Sequence, residues 1–229
     1  MIFRQLFDRD TCTYTYLLAD PHSRDAALID PVLELIDRDV QLLQELELDL
    51  RLVLETHVHA DHVTSAAGLK KRLGARIVSS SLAGNRCDIG VEHRQTVKVG
   101  KIQIEARHTP GHTDGCVTYV WLDGGMAFTG DALFVRGCGR TDFQGGDARL
   151  LYASVHEQIL SLPASTLLYP GHDYKGRTVT TVAEERAYNP RLGGGRSADD
   201  FVGIMAGLNL AYPARIDVAV PANLRCGEA

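Results

Sequence analysis

Across 229 residues, 45% hydrophobic and 23% charged side chains describe an ordinary globular composition, long enough to bury a substantial core without staples. The net charge of −5 with no Lys/Arg run argues against a nucleic-acid surface, and no stretch approaches the roughly 18 apolar residues of a membrane span. Five scattered cysteines without a C-x-x-C pair argue against a disulfide framework or a zinc knuckle, and for a reducing compartment.

The first residues, "MIFRQLFDRD", carry acidic groups early and no apolar h-region, so no signal peptide is read and a cytoplasmic location is expected. "YTYLLAD" (14–20) and "AALID" (26–30) are aliphatic, aromatic and β-branched, and "PHSRD" splits them, which predicts two strands and a turn. Over 32–47, Leu35, Ile36, Val40, Leu43 and Leu46 recur at helical spacing and predict an amphipathic helix. "RLVLETH" reads as a short strand ending at a histidine cluster, "SAAGLKKRLGA" as a helix closed by Gly74, and "RIVSS" as the next strand. This alternation is α/β. "TVKVG", "KIQIEARHT", "CVTYVWLD" and "MAFTGDALF" then predict successive strands, with "DGG" at 123–125 as a hairpin turn. A helix over about 147–160 precedes a strand in "TLLYPGH", and helices are expected near 178–187 and 198–208.

Three glycine or histidine stretches fail as motifs. "RLGGGRS" (191–197) reads as a loop, with no Lys-Ser/Thr after it and no strand before it to make a phosphate cradle. "GCGRTD" lacks the third glycine of a dinucleotide fingerprint, and "HEQIL" carries Leu160 where a zincin has its second histidine. With no linker and no fixed-period repeat, residues 1–229 are expected to form one domain.

The chemistry concentrates elsewhere. "ETHVHADHVTS", Glu55 to Ser65, places His57, His59, Asp61 and His62 in one short turn of a chain with nine histidines. "HTPGHTDG" (108–115) and "YPGHDYKG" (169–176) add two more histidine turns. His57, His112, Asp131 and His172 each follow a predicted strand, where sheets deliver side chains into a common crevice. Histidines and carboxylates so gathered predict a metal site, and these donors suit zinc and iron. His22, His93 and His156 stand alone in predicted turns or a helix and read as ordinary packed or solvated residues. His108, four residues before His112, is read either as a neighbour of the site or as structural.

"THVHADH" matches the T-H-x-H-x-D-H signature of the metallo-β-lactamase superfamily, and "GHT" (111–113), "GD" (130–131) and "GH" (171–172) fit its later motifs. That resemblance implies an α/β fold, an αβ/βα sandwich of two facing mixed sheets with helices outside and a metal site at one edge. Within the superfamily, "GDALFVRGCGRTDFQGGD", "YPGHDYKGRTVTTVAEERAYNPRL" and "VPANLRCGE" are similar to the persulfide dioxygenases, the ethylmalonic encephalopathy protein family. This narrower resemblance implies one Fe(II) per chain, with His57, His112 and Asp131 as ligands and catalytic residues. His59, Asp61, His62 and His172 would orient them or tune the pocket. Two histidines and one carboxylate on one face of Fe(II) leave three positions for a persulfide and O₂. Oxidation of the terminal sulfur of glutathione persulfide, followed by water, would release sulfite and glutathione.

Glutathione carries two carboxylates, so Arg140 first, then Tyr174, Lys175 and Arg177, are expected to bind substrate. Asp30 in "LIDP" reads as a strand-end structural residue, and Cys138 as a packing residue. The rival is a glyoxalase II-type hydrolase of glutathione thioesters, with two metals held by all seven residues. Those enzymes carry a longer helical domain after the last histidine, whereas 57 residues follow His172 here. A β-lactamase is disfavoured without a secretion signal, and a non-catalytic redox-sensing module would need blocked metal positions, which the sequence does not supply. The resemblance is compatible with a sulfurtransferase partner and with a homodimer.

Overall fold

In the computed structural model, which describes residues 1–228, the strands form two six-stranded sheets, each filled almost in chain order. The first holds β1 (Ile2–Phe7), β2 (Tyr14–Ala19), β3 (Asp25–Ile29), β4 (Asp49–Leu54), β5 (Arg76–Ser80) and β6 (Ile89–Val91). Hairpins make β1 to β3 antiparallel, and helical crossovers make β3 to β5 parallel. The second holds β7 (Thr96–Val99), β8 (Ile102–His108), β9 (Val117–Trp121), β10 (Met126–Gly130), β11 (Leu167–Pro170) and β12 (Thr180–Thr181), with only the β10–β11 pair parallel.

One core cluster joins the inner faces of the two sheets, with Tyr16 and Leu18 of β2 packed in a group with Ile104, Tyr119 and Phe128. Each such buried side chain contributes about 1.5–3 kcal/mol relative to exposure, so truncating Phe128 to alanine should cost roughly 3–5 kcal/mol. The outer faces are covered by helices. α1 (Ile36–Glu45) and α2 (Ala66–Leu73) close the first sheet, while α3 (Ala148–Ser154), α4 (Val182–Tyr188) and α5 (Ala198–Ala206) close the second. α6 (Ile216–Asn223) ends the chain. The two mixed sheets with outer helices are the architecture that the resemblance implied. No helix among the described residues is long and apolar enough to cross a membrane.

The local rules explain most boundaries. Gly74 ends α2 at φ 75°, a left-handed geometry that glycine adopts without steric cost. Lys70, Lys71 and Arg72 complement the carbonyl end of that helix. Ser197 and Asp200 close a reciprocal capping box on α5. The expected hairpin at 123–125 is the β9–β10 turn.

Elsewhere the structure departs from expectation. The 32–47 helix opens with a 3₁₀ turn, Leu33–Leu35, before α1 begins at Ile36. The 147–160 helix passes into a wider π turn at Val155–Ile159. In the 178–187 stretch, Thr180 and Thr181 pair with β11, and the Thr181 hydroxyl then caps α4. β-branched threonines favour the extended pairing, and a hydroxyl favours the cap. β1, β6 and α6 were not among the expected elements.

Candidate metal centre

The functional side chains sit on the loops leaving the carboxyl ends of strands: Asp30 after β3, Glu55 to His62 after β4, His112 after β8, Asp131 after β10 and His172 after β11. Close backbone packing draws these ends together. The Gly171 N–H donates to the Gly130 carbonyl (2.8 Å), and the Tyr14 N–H to the Gly171 carbonyl (2.8 Å). At Gly139 an added Cβ would lie 2.6 Å from the Asp131 carbonyl oxygen and 2.7 Å from His112 Nδ1, so only glycine lets the 137–140 turn reach the histidine.

His57, His112 and Asp131 offer ligand atoms that all lie within 4.8 Å of one another. Each is oriented by a hydrogen bond on its far side. His112 Nδ1 donates to the Arg140 carbonyl (2.7 Å), and because a carbonyl only accepts, the lone pair is left on Nε2, 3.6 Å from Asp131 Oδ2. The Thr56 hydroxyl gives its proton to Asp30 Oδ2 (2.7 Å). With its proton so committed, the Thr56 hydroxyl oxygen must accept from His57 Nδ1 (3.0 Å), which leaves the His57 lone pair on Nε2. Asp131 Oδ1 accepts from His172 Nδ1 (2.8 Å), so Oδ2 is turned towards the histidines.

The remaining four expected residues surround these three. His172 also donates from Nε2 to Asp61 Oδ2 (2.8 Å), with the Thr13 hydroxyl at 3.1 Å. Asp61 in turn binds His62 Nδ1 (2.9 Å). His59 Nε2 lies between Asp30 (3.2 Å) and Glu55 (3.4 Å). Burial, reinforced by neighbouring His59, holds His57 well below the ordinary imidazole range, so it stays neutral with its lone pair available. Burial works against a charged His172, but Asp131 and Asp61 on its two sides carry it well above that range. Burial would likewise raise Asp131, yet the charge and hydrogen bond of His172 hold it below the carboxylate range. Among the described residues, His59 Nδ1 and His62 Nε2 are buried without a partner. The Nε2 atoms that the hydrogen bonds leave free on His57 and His112, with the ionised Asp131 carboxylate, form a donor set that fits a divalent cation.

The expected substrate residues are arranged less uniformly. The Arg140 side chain grips Asp142 through two bonds (2.6 and 2.7 Å), donates to the Ala211 carbonyl (2.8 Å) and lies over Phe143, while its backbone carbonyl orients His112. Arg177 is held by Asp173 (2.9 Å). Tyr174 is 70% exposed with its ring parallel to that of His172, and Lys175 is exposed. Asp30, expected as a strand-end structural residue, is that and more: it accepts from Thr56 N, the Thr56 hydroxyl and His59. Thr13, Thr56 and Glu55 were not singled out from the sequence; only the T of "THVHADH" marked one of them. Cys138 packs against Met205 Sδ (3.9 Å), and burial pushes its thiol up to about 11, which leaves it unreactive. His108 binds the Val91 carbonyl (3.0 Å) and faces His93, so it is structural.

Residues 10–172 match the family model of the metallo-beta-lactamase superfamily. The chain is 54% identical over 228 residues to persulfide dioxygenase ETHE1, mitochondrial, of Homo sapiens, an alignment that spans 99% of this chain and 89% of that protein. The crystal structure of ETHE1 from Myxococcus xanthus superposes with a TM-score of 0.97 at 52% identity, covering 100% of both chains. Hydroxyacylglutathione hydrolase GloC of Haemophilus influenzae is more distant, 33% identical over 74% of this chain and 88% of its own length. These comparisons favour the dioxygenase expectation over the glyoxalase II rival. The chain belongs to the metallo-beta-lactamase superfamily and, within it, to the persulfide dioxygenase family.

Proposed function

We propose that this enzyme oxidises glutathione persulfide with O₂ and water to sulfite and glutathione, using one Fe(II) per chain held by His57, His112 and Asp131. The observation that carries the reading is the set of three convergent ligand atoms, each freed by a hydrogen bond on its other side. Bound there, Fe(II) would supply the one-electron chemistry that O₂ requires. The chain's own residues do the rest. Thr56, the Arg140 carbonyl and His172 fix the ligands; His59, Asp61 and His62 complete the polar shell. We assign Arg140, Tyr174, Lys175 and Arg177 to the substrate carboxylates; the two guanidiniums, steadied by Asp142 and Asp173, keep N–H groups to offer. In the overall reaction the terminal sulfur is oxidised, O₂ is reduced, the S–S bond breaks, and the thiol leaves with a proton. We also read residues 1–229 as one domain, because one core cluster draws on both sheets, and take the cytoplasm as its location. A sulfurtransferase donor and a homodimer are compatible with this reading.

The test is elemental analysis of purified protein beside oxygen uptake. Near one iron per chain, sulfite formation with glutathione persulfide and negligible hydrolysis of S-lactoylglutathione are expected. Two zinc ions per chain with rapid thioester hydrolysis and no oxygen uptake would overturn the proposal.

A further inference from the structure

The "VPANLRCGE" motif (220–228) spans the last turn of α6 and the turn after it, and it closes on the metal loop. Asn223 is buried, with 3% exposure. Its Nδ2 donates to the carbonyls of His59 (2.9 Å) and His62 (2.8 Å), and its Oδ1 accepts from the Thr64 N–H (2.9 Å). Two carbonyls need donors and one N–H needs an acceptor, so one amide orientation alone satisfies all three. The neighbouring residues reinforce the clasp. The Leu224 carbonyl accepts from Arg86 N (3.0 Å) and the Cys226 carbonyl from Ala67 N (2.9 Å). Gly227, at φ 80°, approaches the Thr64 carbonyl so closely that a Cβ there would lie 2.1 Å from it. On either side of Asn223, Val220 and Leu224 line a cavity of about 220 Å³ together with Val58 and Thr113, which directly follow His57 and His112.

We infer that Asn223 is a positioning residue of the metal centre: its amide holds the backbone of the His59–Thr64 loop, so that the C-terminal helix fixes the shell around the cation. The side-chain hydrogen bonds of Asn223 all go to the backbone of that loop and none to His57, His112 or Asp131. The inference rests on the metal reading of the site but not on which reaction follows, so its test reads metal affinity rather than turnover.

Co(II) affinity is measured by chelator competition for the unaltered chain and for Asn223→Ala, Asn223→Asp and Cys226→Ala. Asn223→Asp keeps the acceptor for Thr64 and loses both donors. Both Asn223 variants should bind Co(II) about tenfold more weakly, the low end for residues that orient a metal shell. Cys226→Ala removes a buried thiol that bonds the Arg86 carbonyl and no bond to the metal loop, so it should lower the melting temperature and leave affinity unchanged. Unchanged affinity in the Asn223 variants, or an equal loss in Cys226→Ala, would make Asn223 merely structural and overturn the inference. The unaltered chain provides a second measurement, which stands even where a variant does not fold. Coupling is reciprocal, so Co(II) loading should slow exchange of the Thr64 amide about tenfold, and equal rates with and without metal overturn the inference. Missing oxygen uptake would sink the dioxygenase reading and leave both measurements intact.

Discussion

Replacing Thr56 by valine removes one hydroxyl while keeping a β-branched side chain in a buried position. That hydroxyl donates to Asp30 Oδ2 at 2.7 Å and accepts from His57 Nδ1 at 3.0 Å. Without it, a buried carboxylate oxygen and a buried ring N–H each lose a partner, at about 1–3 kcal/mol apiece, so stability should fall by roughly 2–6 kcal/mol. The larger consequence is for His57. With nothing accepting from Nδ1, its proton is no longer fixed there, and Nε2 is no longer committed as the lone-pair nitrogen. Orienting partners of metal-bound histidines are worth about 10- to 100-fold in affinity, or roughly 1.4–2.7 kcal/mol. The assay is metal affinity by chelator competition, with melting of the metal-free protein alongside. Thr56→Ser restores the hydroxyl and should restore most of the affinity, whatever it does to packing. If Thr56→Val and Thr56→Ser bind metal equally well, the relay from Asp30 through Thr56 does not set the tautomer of His57 and the argument fails.

Three further expectations address other parts of the molecule. His57→Ala should lose most of the bound metal while His59→Ala retains much of it, as read by elemental analysis; equal loss would place His59 among the ligands. Arg140→Ala leaves the peptide carbonyl that orients His112, so iron content should hold while kcat/KM falls about tenfold to a hundredfold, mainly through KM, as loss of a charged hydrogen bond of roughly 1.5–3 kcal/mol requires. Unchanged kinetics would make its guanidinium a partner of Asp142 only. Burial raises the Asp39 carboxyl to about 6 despite Arg38 beside it. A raised acid holds its proton more tightly folded than unfolded, so it destabilises above about pH 6, and the penalty fades as pH falls towards the unfolded value near 4. Asp39→Asn should therefore raise stability at pH 8 by on the order of 3 kcal/mol and by little at pH 4; a pH-independent difference in melting temperature would contradict this.

The sheets and the ligand cluster were legible because both are written in side-chain type. Short apolar runs such as "RLVLE" and "RIVSS", with β-branched residues and too few positions for a helix, read as buried strands, and histidines that follow such runs converge where the strands end. Two of the elements that escaped, α6 and β12, have causes that lie outside their own residues. α6 contains Pro221 and is held by contacts to the Thr64 region and Arg86 rather than by helical periodicity. β12 is two threonines that exist as a strand only because β11 lies beside them. Arg140 shows the same limit at the site. Its guanidinium drew attention, yet its carbonyl makes the contact with His112, and no sequence states which way a carbonyl points. Gly139 was the available signal, since a residue that must be glycine marks a close approach.

Three chemically different groups orient the three proposed ligands: a hydroxyl for His57, a backbone carbonyl for His112 and a histidine for Asp131. They come from loops of both sheets, so the site depends on the sandwich as a whole rather than on one motif. His172 carries the sharper consequence. With Nδ1 bonded to Asp131 and Nε2 to Asp61, both of its nitrogens are engaged by carboxylates, and the charge it carries is what holds Asp131 ionised. In that arrangement it serves a neighbour's carboxylate instead of offering a lone pair. A seven-residue signature is therefore compatible with one ion or with two, and the hydrogen bonds made by the ligands' far sides separate the cases. The residues that make or anchor those hydrogen bonds include Asp30 and also Thr13 and Thr56, two threonines that the sequence did not single out.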